Sequence, residues 1–313
     1  MQRYHIKLSL QKGVSKKEIA ADIEVHLSTV YREIKRNKGE YQYHDKLAQR
    51  KCDQRKRRMR AIRSFTIPMR KRIFSLMVEH QWSPEQIKGY LERRGEPCVS
   101  VQTIYSYIRF DRECGGNLWK HCRHALKHKH RVSASANSPI KDRKMIDQMP
   151  ESLAKAEFGL WEMDCIIGKG GKSVILTLVE KSTGFLLIRK LPKGKNAKDL
   201  ARIAYAALLP YKDWVKAIVT DNGSEFAEFK YLEKWLHTSV FFTHPYSSWE
   251  KGAIENANGL IRQYLPKRVD LNTFSDEEIL NIQLKLNNRP RKKLNFYPSK
   301  YVFFTKLMLL SHL

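Results

Sequence analysis

Between residues 160 and 265, the hydrophobic pattern changes from the period of strands to the period of helices, and this order constrains the fold more than any other feature. Three strand patterns follow one another at 160–167, 174–179 and 185–191, joined by short turns that contain glycine. Helix and strand patterns then alternate, with helices at 199–209, 229–236 and 251–265 and strands at 217–220 and 240–243. Three linked strands followed by this alternation predict an α/β fold, a mixed sheet with helices on its faces. We assign this domain to residues 156–313.

Two aspartates stand where such a sheet presents its ligands. Strand 160–167 alternates, which places Trp161 and Met163 on one side and Asp164 on the polar side. Asp221 directly follows the buried strand 217–220, at the carboxyl end where open α/β sheets bind ligands. The sequence therefore predicts a ligand site at this edge of the sheet.

A third acidic residue, Glu255, lies in the predicted helix 251–265. On a helix, Glu255 and Arg262 share a face, with Gly259 between them. A neighbouring apolar stripe would anchor the helix to the core, and it consists of Ile254, Ala257, Ile261 and Leu265. Glu255 thus lies beside the apolar stripe, with the cation of Arg262 two helical turns further along the same helix. Such a carboxylate is well placed to hold a metal ion, and the cation to steer a phosphate.

Asp164, Asp221 and Glu255 together form a candidate metal site and catalytic set. Carboxylates without His or Cys suit Mg²⁺ or Mn²⁺, which prefer oxygen ligands. Two such ions could activate a water or a 3′-hydroxyl and stabilise the leaving oxygen of an in-line displacement at phosphorus. No nucleophilic side chain is then required.

Simpler interpretations of this region stay open. Asp221 could simply cap the turn that follows it, and Glu162 or Glu225 could replace a member of the acidic set. Trp249 is expected to pack in the core, although Trp249 and Tyr246 could instead stack on bases beside a DNA channel.

The net charge of the chain indicates a polyanionic partner. Lys and Arg outnumber Asp and Glu by 59 to 32, which gives a formal charge of +27. Residues 1–150 hold 34 of these cations and 15 of the acids, so most of the nonspecific attraction comes from the amino-terminal half. Such a charge attracts nucleic acid and releases counterions on binding.

Composition argues against several other classes of protein. A membrane-surface or heparin binder could share the charge, but no apolar run approaches the roughly 18 residues of a membrane span and there is no lipid anchor. The first residues do not resemble a secretory signal. Five cysteines without a Cys-x-x-Cys pair suit a reducing cytoplasm rather than a disulfide framework.

The amino-terminal residues predict a helix-turn-helix. Ser15 and Glu18 fit a capping box at the start of a short helix, and a second helix starts at Ser28 after a brief turn. The inward residues are Ile19, Ile23, Val30 and Ile34. The outward residues of the second helix are Thr29, Arg32, Glu33 and Arg36, as in a helix that reads base edges. Any helical hairpin could show this pattern, but the charge favours DNA binding.

A basic cluster follows at residues 51–60 and includes Arg57 and Arg58. It could be a solvated, flexible arm or a clamp for DNA phosphates. The two interpretations are compatible because an arm can order on DNA. We assign residues 1–63 to a helix-turn-helix DNA-binding domain with this basic arm.

A second helix-turn-helix pattern occupies residues 64–112. Ser83, Pro84 and Gln86 fit the start of one helix, and Ser100 caps the next. Two similar units in tandem suggest a bipartite DNA site, although the second unit could be purely structural.

Residues 113–155 lose periodicity and are predicted to be a basic linker. A zinc site is the alternative, because the segment contains Cys114, His121, Cys122, His124, His128 and His130. Their spacing matches no familiar ligand pattern, and the surrounding Lys and Arg would oppose a dication. The basic linker is therefore the favoured interpretation.

Several motifs resemble the ribonuclease H-like core of DDE transposases and retroviral-type integrases. They are Trp161-Glu-Met-Asp164, Thr220-Asp-Asn-Gly-Ser-Glu-Phe226 and the block around Glu255. The Glu255 block and the amino-terminal helix-turn-helix are especially similar to the bacterial insertion sequence thirty family. The resemblance spans nearly the whole chain, and its acidic motifs are specific.

The resemblance implies that Asp164, Asp221 and Glu255 are a metal-binding catalytic triad for Mg²⁺ or Mn²⁺, with two ions. It gives Arg262 the basic position on the glutamate helix that contacts transposon-end DNA. Asn258 matches one of the family's asparagines after the glutamate, and we expect it to face DNA as well.

The resemblance further implies a DNA transposase that binds terminal inverted repeats, hydrolyses a strand to expose a 3′-hydroxyl and joins it to target DNA. Two ends must be brought together, which implies a dimer or a larger synaptic assembly in the bacterial cytoplasm, at the nucleoid. The alternatives are a non-catalytic helix-turn-helix repressor derived from a transposase and a structure-selective nuclease that lacks the joining step.

Overall fold

The computed structural model describes residues 2–40, 42–60, 65–123, 140, 142–171, 173–245 and 247–311, except the side chains of residues 56–60 and 248. The chain divides into two compact units, Met1–Thr66 and Ile67–Leu313. The described part of the amino-terminal unit forms helices α1 (Gln2–Gln11), α2 (Lys16–Asp22), α3 (Leu27–Asn37) and α4 (Asp45–Arg60).

Helices α2 and α3 form the predicted helix-turn-helix. The capping box is present, since Ser15 Oγ accepts the Glu18 N–H at 3.3 Å and the Glu18 carboxylate accepts the Ser15 N–H at 3.2 Å. The predicted start of the second helix at Ser28 is wrong. Helix α3 begins one residue earlier, because the ring of His26 accepts the Ser28 N–H at 3.3 Å and acts as the cap.

The outer face of α3 differs from the prediction at one residue. Thr29, Arg32 and Arg36 are exposed, as expected. Glu33 does not point outward, because its carboxylate accepts hydrogen bonds from the Arg3 guanidinium at 2.7 Å and the Tyr43 hydroxyl at 3.1 Å. The exposed face of α3 therefore carries two arginines and a threonine without that acidic neighbour.

The basic cluster at residues 51–60 is helical and belongs to α4. Lys51 Nζ donates to the carbonyl of Lys38 at 2.7 Å, and the Arg55 guanidinium donates to the carbonyl of Arg36 at 3.2 Å. These bonds attach the first part of the basic cluster, at Lys51 and Arg55, to the end of α3. The side chains of Arg57 and Arg58 lie outside the described residues.

The described part of the carboxyl-terminal unit contains helices α5 (Ile67–His80), α6 (Pro84–Arg93), α7 (Val101–Glu113), α8 (Glu151–Ala154), α9 (Ala197–Leu208), α10 (Phe229–Leu236), α11 (Gly252–Ile261), α12 (Asp276–Asn287) and α13 (Ser299–Ser311). Its strands are β1 (Lys144–Met145), β2 (Leu160–Ile167), β3 (Val174–Glu180), β4 (Leu186–Leu191), β5 (Ala217–Thr220), β6 (Ser239–Phe242), β7 (Pro290–Arg291) and β8 (Tyr297–Pro298). Most of these elements match the predicted segments, and the carboxyl-terminal elements after α11 add to them.

Strands β1 to β6 form one mixed sheet in the order β1-β6-β5-β2-β3-β4 among the described residues. Strand β2 pairs antiparallel with β3 and parallel with β5. Strands β2, β3 and β4 are the three linked strands of the prediction, and they pair antiparallel. The pairs β2–β5, β5–β6 and β1–β6 are parallel, as expected where helices connect strands. Strand β1 lies in the predicted linker and pairs with β6, so part of that segment belongs to the sheet.

Helices cover both faces of the sheet. On one face, α9, α10 and α13 pack on a core that contains Trp161, Met163 and Phe303. On the other face, α11 and α12 pack on a core that contains Ile254 and Ile261. The buried strands are therefore apolar on both sides, as in the predicted α/β architecture.

Helix α12 protects the edge of the sheet at β4. Asn287 accepts the Leu186 N–H at 2.8 Å and donates to the Leu186 carbonyl at 2.7 Å, while Gln283 accepts the Ile188 N–H at 2.8 Å. These side chains take the place of a further strand and satisfy buried backbone groups. The edge is thus closed, and α12 is fixed against it.

The second helical hairpin, α6 and α7, starts as predicted. Ser83 and Gln86 form a capping box with Pro84 at the first helical position, and Ser100 caps α7. Helix α6 packs on the β7–β8 ribbon, where a Cβ at Gly89 would lie 2.3 Å from the ring of Phe296. The hairpin is therefore part of the same compact unit as the sheet. The described residues contain no helix long and apolar enough to cross a membrane.

Candidate active site

Strands β2 and β5 bring Asp164 and Asp221 together. Their parallel register pairs Leu160 with Ala217 and Glu162 with Val219. Continued for two residues, this register places Asp164 opposite Asp221, at the carboxyl end of β5. The two aspartates lie far apart in the sequence, and the sheet makes them neighbours.

Lys251 lies between the two aspartates. Its ammonium is 3.1 Å from Asp221 Oδ2 and 3.5 Å from Asp164 Oδ1. Lys251 is 5% exposed and is the residue from which α11 starts. A buried ammonium with two carboxylates is compensated, whereas any one of the three charges alone would be costly at this depth.

Asn258 fixes the orientation of Asp164. Its amide Nδ2 donates to Asp164 Oδ2 at 2.7 Å, and the backbone N–H of Cys165 donates to Asp164 Oδ1 at 2.9 Å. The other amide atom, Asn258 Oδ1, is buried and has no hydrogen-bond partner among the described residues. Asn258 therefore contacts the aspartate, although the sequence suggests a residue that faces DNA.

The charges of this group shift one another's protonation. Burial raises the pKa of Asp164, the charge of Asp221 raises it further, and Lys251 opposes both. Burial by itself lowers the pKa of Lys251, but the charges of Asp164 and Asp221 outweigh burial and raise it overall. The lysine therefore stays charged, and it screens the repulsion between the two carboxylates.

Glu255 lies on the same side of α11 as these residues but does not join them. Lys251, Glu255 and Asn258 follow one another at helical spacing, so Glu255 is flanked by the two residues that contact Asp164. Its side chain is exposed and makes no hydrogen bond or ion pair with the described residues. Consistent with this, no group of three or more His, Cys, Asp or Glu side chains in the described chain is placed to hold a metal ion.

Helix α11 is shorter than predicted, and this changes the setting of Arg262. The predicted helix 251–265 is wrong at its end, because α11 stops at Ile261 and Arg262 is its cap residue. The Arg262 guanidinium donates to the carbonyl of Ile167 at 2.8 Å, at the end of β2. The apolar stripe of the prediction is buried, since Ile254, Ala257, Ile261 and Leu265 all lie in the core.

The two alternative acids have structural partners. Glu162 is buried and accepts the backbone N–H of Ile254 at 2.8 Å, at the start of α11. Glu225 is buried and pairs with Lys195 at 3.6 Å. Glu162 thus satisfies the first turn of α11 and holds that helix against β2.

The segment between β6 and α11 is held by His244. The backbone N–H of His244 donates to Glu250 at 2.9 Å, and its ring lies 2.9 Å from Glu250 and 3.0 Å from Asp147. The expectation that Trp249 packs in the core is wrong, because its side chain is 75% exposed. Trp249 lies in the short turn that ends at Lys251, and its ring is left in solvent there. Tyr246 lies outside the described residues.

The donor atoms of this site fit an oxygen-preferring cation. Asp164 and Asp221 carry two negative charges and share one ammonium, which leaves a net negative charge. The ammonium already occupies a cation position between them, and the unpartnered Asn258 Oδ1 adds a neutral oxygen. Hard divalent cations prefer such carboxylate and carbonyl oxygens.

Sequence reasoning missed Lys251 as a member of the site. The signal was its position four residues before Glu255, on the same side of the predicted helix. A single lysine in a chain with 59 Lys and Arg gives no reason to select it, and its partners are distant in sequence. Only the fold brings it to the aspartates.

Comparison with known proteins agrees with this architecture. The integrase core domain family matches residues 154–248, and a helix-turn-helix domain family matches residues 1–37. The chain is 44% identical to the transposase for insertion sequence element IS4351 of Bacteroides fragilis, over 94% of this chain and 91% of the relative. It is 32% identical to the transposase InsI for insertion sequence element IS30A of Escherichia coli, over 96% of this chain and 82% of the relative.

A solved structure, the catalytic core domain of BIV integrase, aligns with a TM-score of 0.38 and 19% identity, over 49% of this chain and 98% of that one. The two family matches and the two transposases identify the mixed sheet as ribonuclease H-like and the amino-terminal helices as a helix-turn-helix. The chain belongs to the insertion sequence thirty (IS30) family of transposases.

Proposed function

We propose that this chain is a DNA transposase that binds the terminal inverted repeats of an insertion sequence and catalyses strand cleavage and strand transfer. In this proposal Asp164, Asp221 and Glu255 are the catalytic triad. The observation that carries this proposal is that Asp164 and Asp221 both contact the ammonium of Lys251 at the carboxyl end of β5.

The triad would hold Mg²⁺ or Mn²⁺, two ions in all, through carboxylate oxygens. When bound, such ions lower the pKa of an attacking water or 3′-hydroxyl and neutralise charge on the leaving oxygen. Glu255 is exposed on α11 between Lys251 and Asn258, and in this proposal it supplies the third carboxylate.

The other side chains of the site position the aspartates. Asn258 holds Asp164 by one oxygen, and the backbone N–H of Gly223 holds Asp221 Oδ1 at 2.9 Å. Lys251 keeps the two carboxylates together before a divalent cation is present. This preorganisation lowers the reorganisation needed when substrate and cation bind.

DNA recognition is assigned to the amino-terminal helix-turn-helix. Helix α3 exposes Thr29, Arg32 and Arg36, and arginine can bond two acceptors on guanine in the major groove. Arg57 and Arg58 would contact phosphates from α4, and Arg262 would contact the transposon end near the triad, whereas Asn258 is engaged with Asp164. Residues 1–63 then act as the end-binding domain, 64–112 as a second helical domain within the compact unit of the sheet, 113–155 as a basic linker that also supplies β1 to the sheet, and 156–313 as the catalytic domain.

The reaction joins two transposon ends to one target, so the active form is proposed to be a homodimer or a larger synaptic assembly on double-stranded DNA. A cytoplasmic, nucleoid-associated protein fits this substrate and the charge of +27.

The decisive experiment compares the wild type with Asp164→Asn on labelled inverted-repeat DNA in Mg²⁺. Both proteins should bind the ends equally, and only the wild type should cleave and join them. Binding without cleavage by the wild type, across metals and substrates, would show a repressor instead. Cleavage without joined products would show a nuclease.

A second experiment tests the division of labour between the units. Arg36→Ala should weaken binding to the inverted repeat by about 1–3 kcal/mol, while metal-dependent nicking of nonspecific DNA stays the same. The exposed Arg50 on α4 offers a matched control, Arg50→Ala, which should keep sequence preference. Equal loss of binding and nicking in Arg36→Ala would contradict this division.

A further inference from the structure

Next to the candidate active site, three arginines gather around α11 and the β7–β8 ribbon. Arg289 is 2% exposed and follows α12 directly. Its guanidinium donates to Gln263 Oε1 at 3.1 Å and to the Tyr264 hydroxyl at 2.8 Å. The third donor atom, Arg289 Nε, is buried and has no hydrogen-bond partner among the described residues.

The other two arginines also contact neutral groups. Arg291 Nε donates to Ser299 Oγ at 3.2 Å, and Arg123 Nη2 donates to Asn256 Oδ1 at 3.1 Å. In the described part of the chain, none of the three guanidiniums forms an ion pair with a carboxylate. Three positive charges therefore share this place without an internal counterion.

Burial and repulsion among the three charges lower the pKa of two of the arginines. Desolvation, together with the charges of Arg289 and Arg123, lowers the pKa of Arg291 to about 10. Desolvation and the charge of Arg289 also lower the pKa of Arg123. The three groups thus lie close enough to oppose one another's charge.

A buried cation is normally kept by a paired anion, because the desolvation of an unpaired charge is costly. Arginine could have been replaced here by an apolar side chain if its role were only to fill space. The cluster therefore calls for an anion from outside the chain. Guanidiniums bind phosphate well, since their planar donors match two phosphate oxygens at once.

The cluster borders the helix that carries Glu255. Arg123 contacts Asn256, the next residue, and a Cβ at Gly259 would lie 3.2 Å from Arg123 Nη2. The guanidinium of Arg123 therefore lies over the exposed side of α11, and Arg289 contacts the residues just beyond its end. The cluster therefore adjoins the helix that carries the exposed Glu255.

We propose that Arg123, Arg289 and Arg291 form a binding site for one phosphodiester group of a DNA strand held at the active site. That the phosphate belongs to DNA rests on the proposed function. That the cluster binds an anion rests on the absence of a carboxylate partner for the three arginines in the described part of the chain. The site fixes the strand by its backbone and reads no base.

The first arm of the test uses inorganic phosphate and the full-length protein in EDTA. Thermal unfolding is followed in sodium phosphate and in sodium chloride of equal ionic strength. Phosphate should raise the midpoint of the wild type more than chloride does, and this difference should be smaller in Arg123→Gln and Arg289→Gln, which keep only the general stabilisation by an excluded salt. Arg202 is exposed on α9, which packs on the other face of the sheet, so Arg202→Gln is a matched control. It should keep the full phosphate effect of the wild type.

The second arm measures the affinity for a nonspecific duplex at several salt concentrations, again without divalent cation. Arg123→Gln should reduce the slope of log K against log salt by about one, the value for one lost phosphate contact. Arg202→Gln should leave the slope unchanged. Arg123 is exposed and its change should not impair folding, so this arm stands even if Arg289→Gln does not fold.

The outcomes separate this site from the proposed function. A phosphate effect as large in Arg123→Gln as in the wild type and Arg202→Gln, or one that is missing in the wild type, overturns the anion site. A phosphate effect lost in Arg123→Gln with an unchanged salt slope overturns DNA as the source. Absence of cleavage in Mg²⁺ would overturn the transposase proposal, but it would leave both metal-free measurements in place.

Discussion

Two cationic centres lie within the carboxyl-terminal unit, one at the start of α11 and one just beyond its end, and they are compensated in opposite ways. Lys251 is buried between Asp164 and Asp221. Arg289 is also buried, but its partners are a glutamine and a tyrosine. The first centre balances its charge within the chain, and the second does not.

The difference teaches what each centre is prepared to bind. Around Lys251 the fixed charge is negative overall, so the site favours a further cation. Around Arg289, Arg123 and Arg291 the fixed charge is positive, so that site favours an anion. The metal-dependent reaction proposed above would use both.

The largest effect is expected at the compensated centre. Lys251→Met leaves two adjacent carboxylates without a counterion, and we expect the metal-free protein to lose about 2–4 kcal/mol of unfolding free energy. Mg²⁺ should restore more stability to this variant than to the wild type, because the site keeps two full negative charges. Chemical denaturation in EDTA and in Mg²⁺ measures both effects.

Lys198→Met is the matched control for this change, since Lys198 is exposed on α9. It should alter stability by less than about 0.5 kcal/mol and should not change the response to Mg²⁺. An equal loss in both variants, or a wild type that gains as much from Mg²⁺, would show that the ammonium does not occupy the cation position.

An intermediate effect is expected at the uncompensated centre. Arg289→Met loses two hydrogen bonds but removes one of three repelling charges, so we expect the unfolding free energy in chloride to change by about 1 kcal/mol or less. The same change should reduce stabilisation by phosphate to the general effect of an excluded salt. Denaturation in chloride and in phosphate at equal ionic strength provides the measurement, and a loss as large as that of Lys251→Met would remove the contrast between the two centres.

The smallest effect is expected at His244, a cation paired with carboxylates near the surface. Its hydrogen bond to Glu250 and its interaction with Asp147 raise its pKa above the usual 6.5. A group with a raised folded-state pKa stabilises the protein below its unfolded-state pKa, and this contribution is lost as pH rises through the folded-state pKa. The wild type should therefore lose more thermal stability than His244→Gln between about pH 6 and about pH 9.

Glu250→Gln serves as the partner control, because it removes the negative charge of the group that contributes most to the raised pKa of His244. Its melting temperature should also vary less with pH over this window than that of the wild type. If both variants retain the pH dependence of the wild type, the pairing at His244 contributes nothing to stability.

Local pattern was sufficient for much of the sheet and its helices. Strands β2 and β5 and helix α10 have the predicted bounds, because their periodicity and flanking turns are properties of short segments. The capping box at Ser15 is equally local. The predicted end of α11 was too late by four residues, since the helix stops at Ile261, shortly before Pro266, whose ring cannot continue a helix.

The sequence alone determined the α/β architecture, the helix-turn-helix and the family, since each depends on neighbouring residues or on short motifs. Tertiary structure decided which charges meet. Asp164 and Asp221 become neighbours only through the parallel register of β2 and β5, and Lys251 reaches them only because α11 starts there. Arg289 is one cation among 59 in the sequence, and only folding buries it away from any carboxylate. The energy of a charge depends on its distance from other charges and on its access to water, and neither quantity is encoded locally.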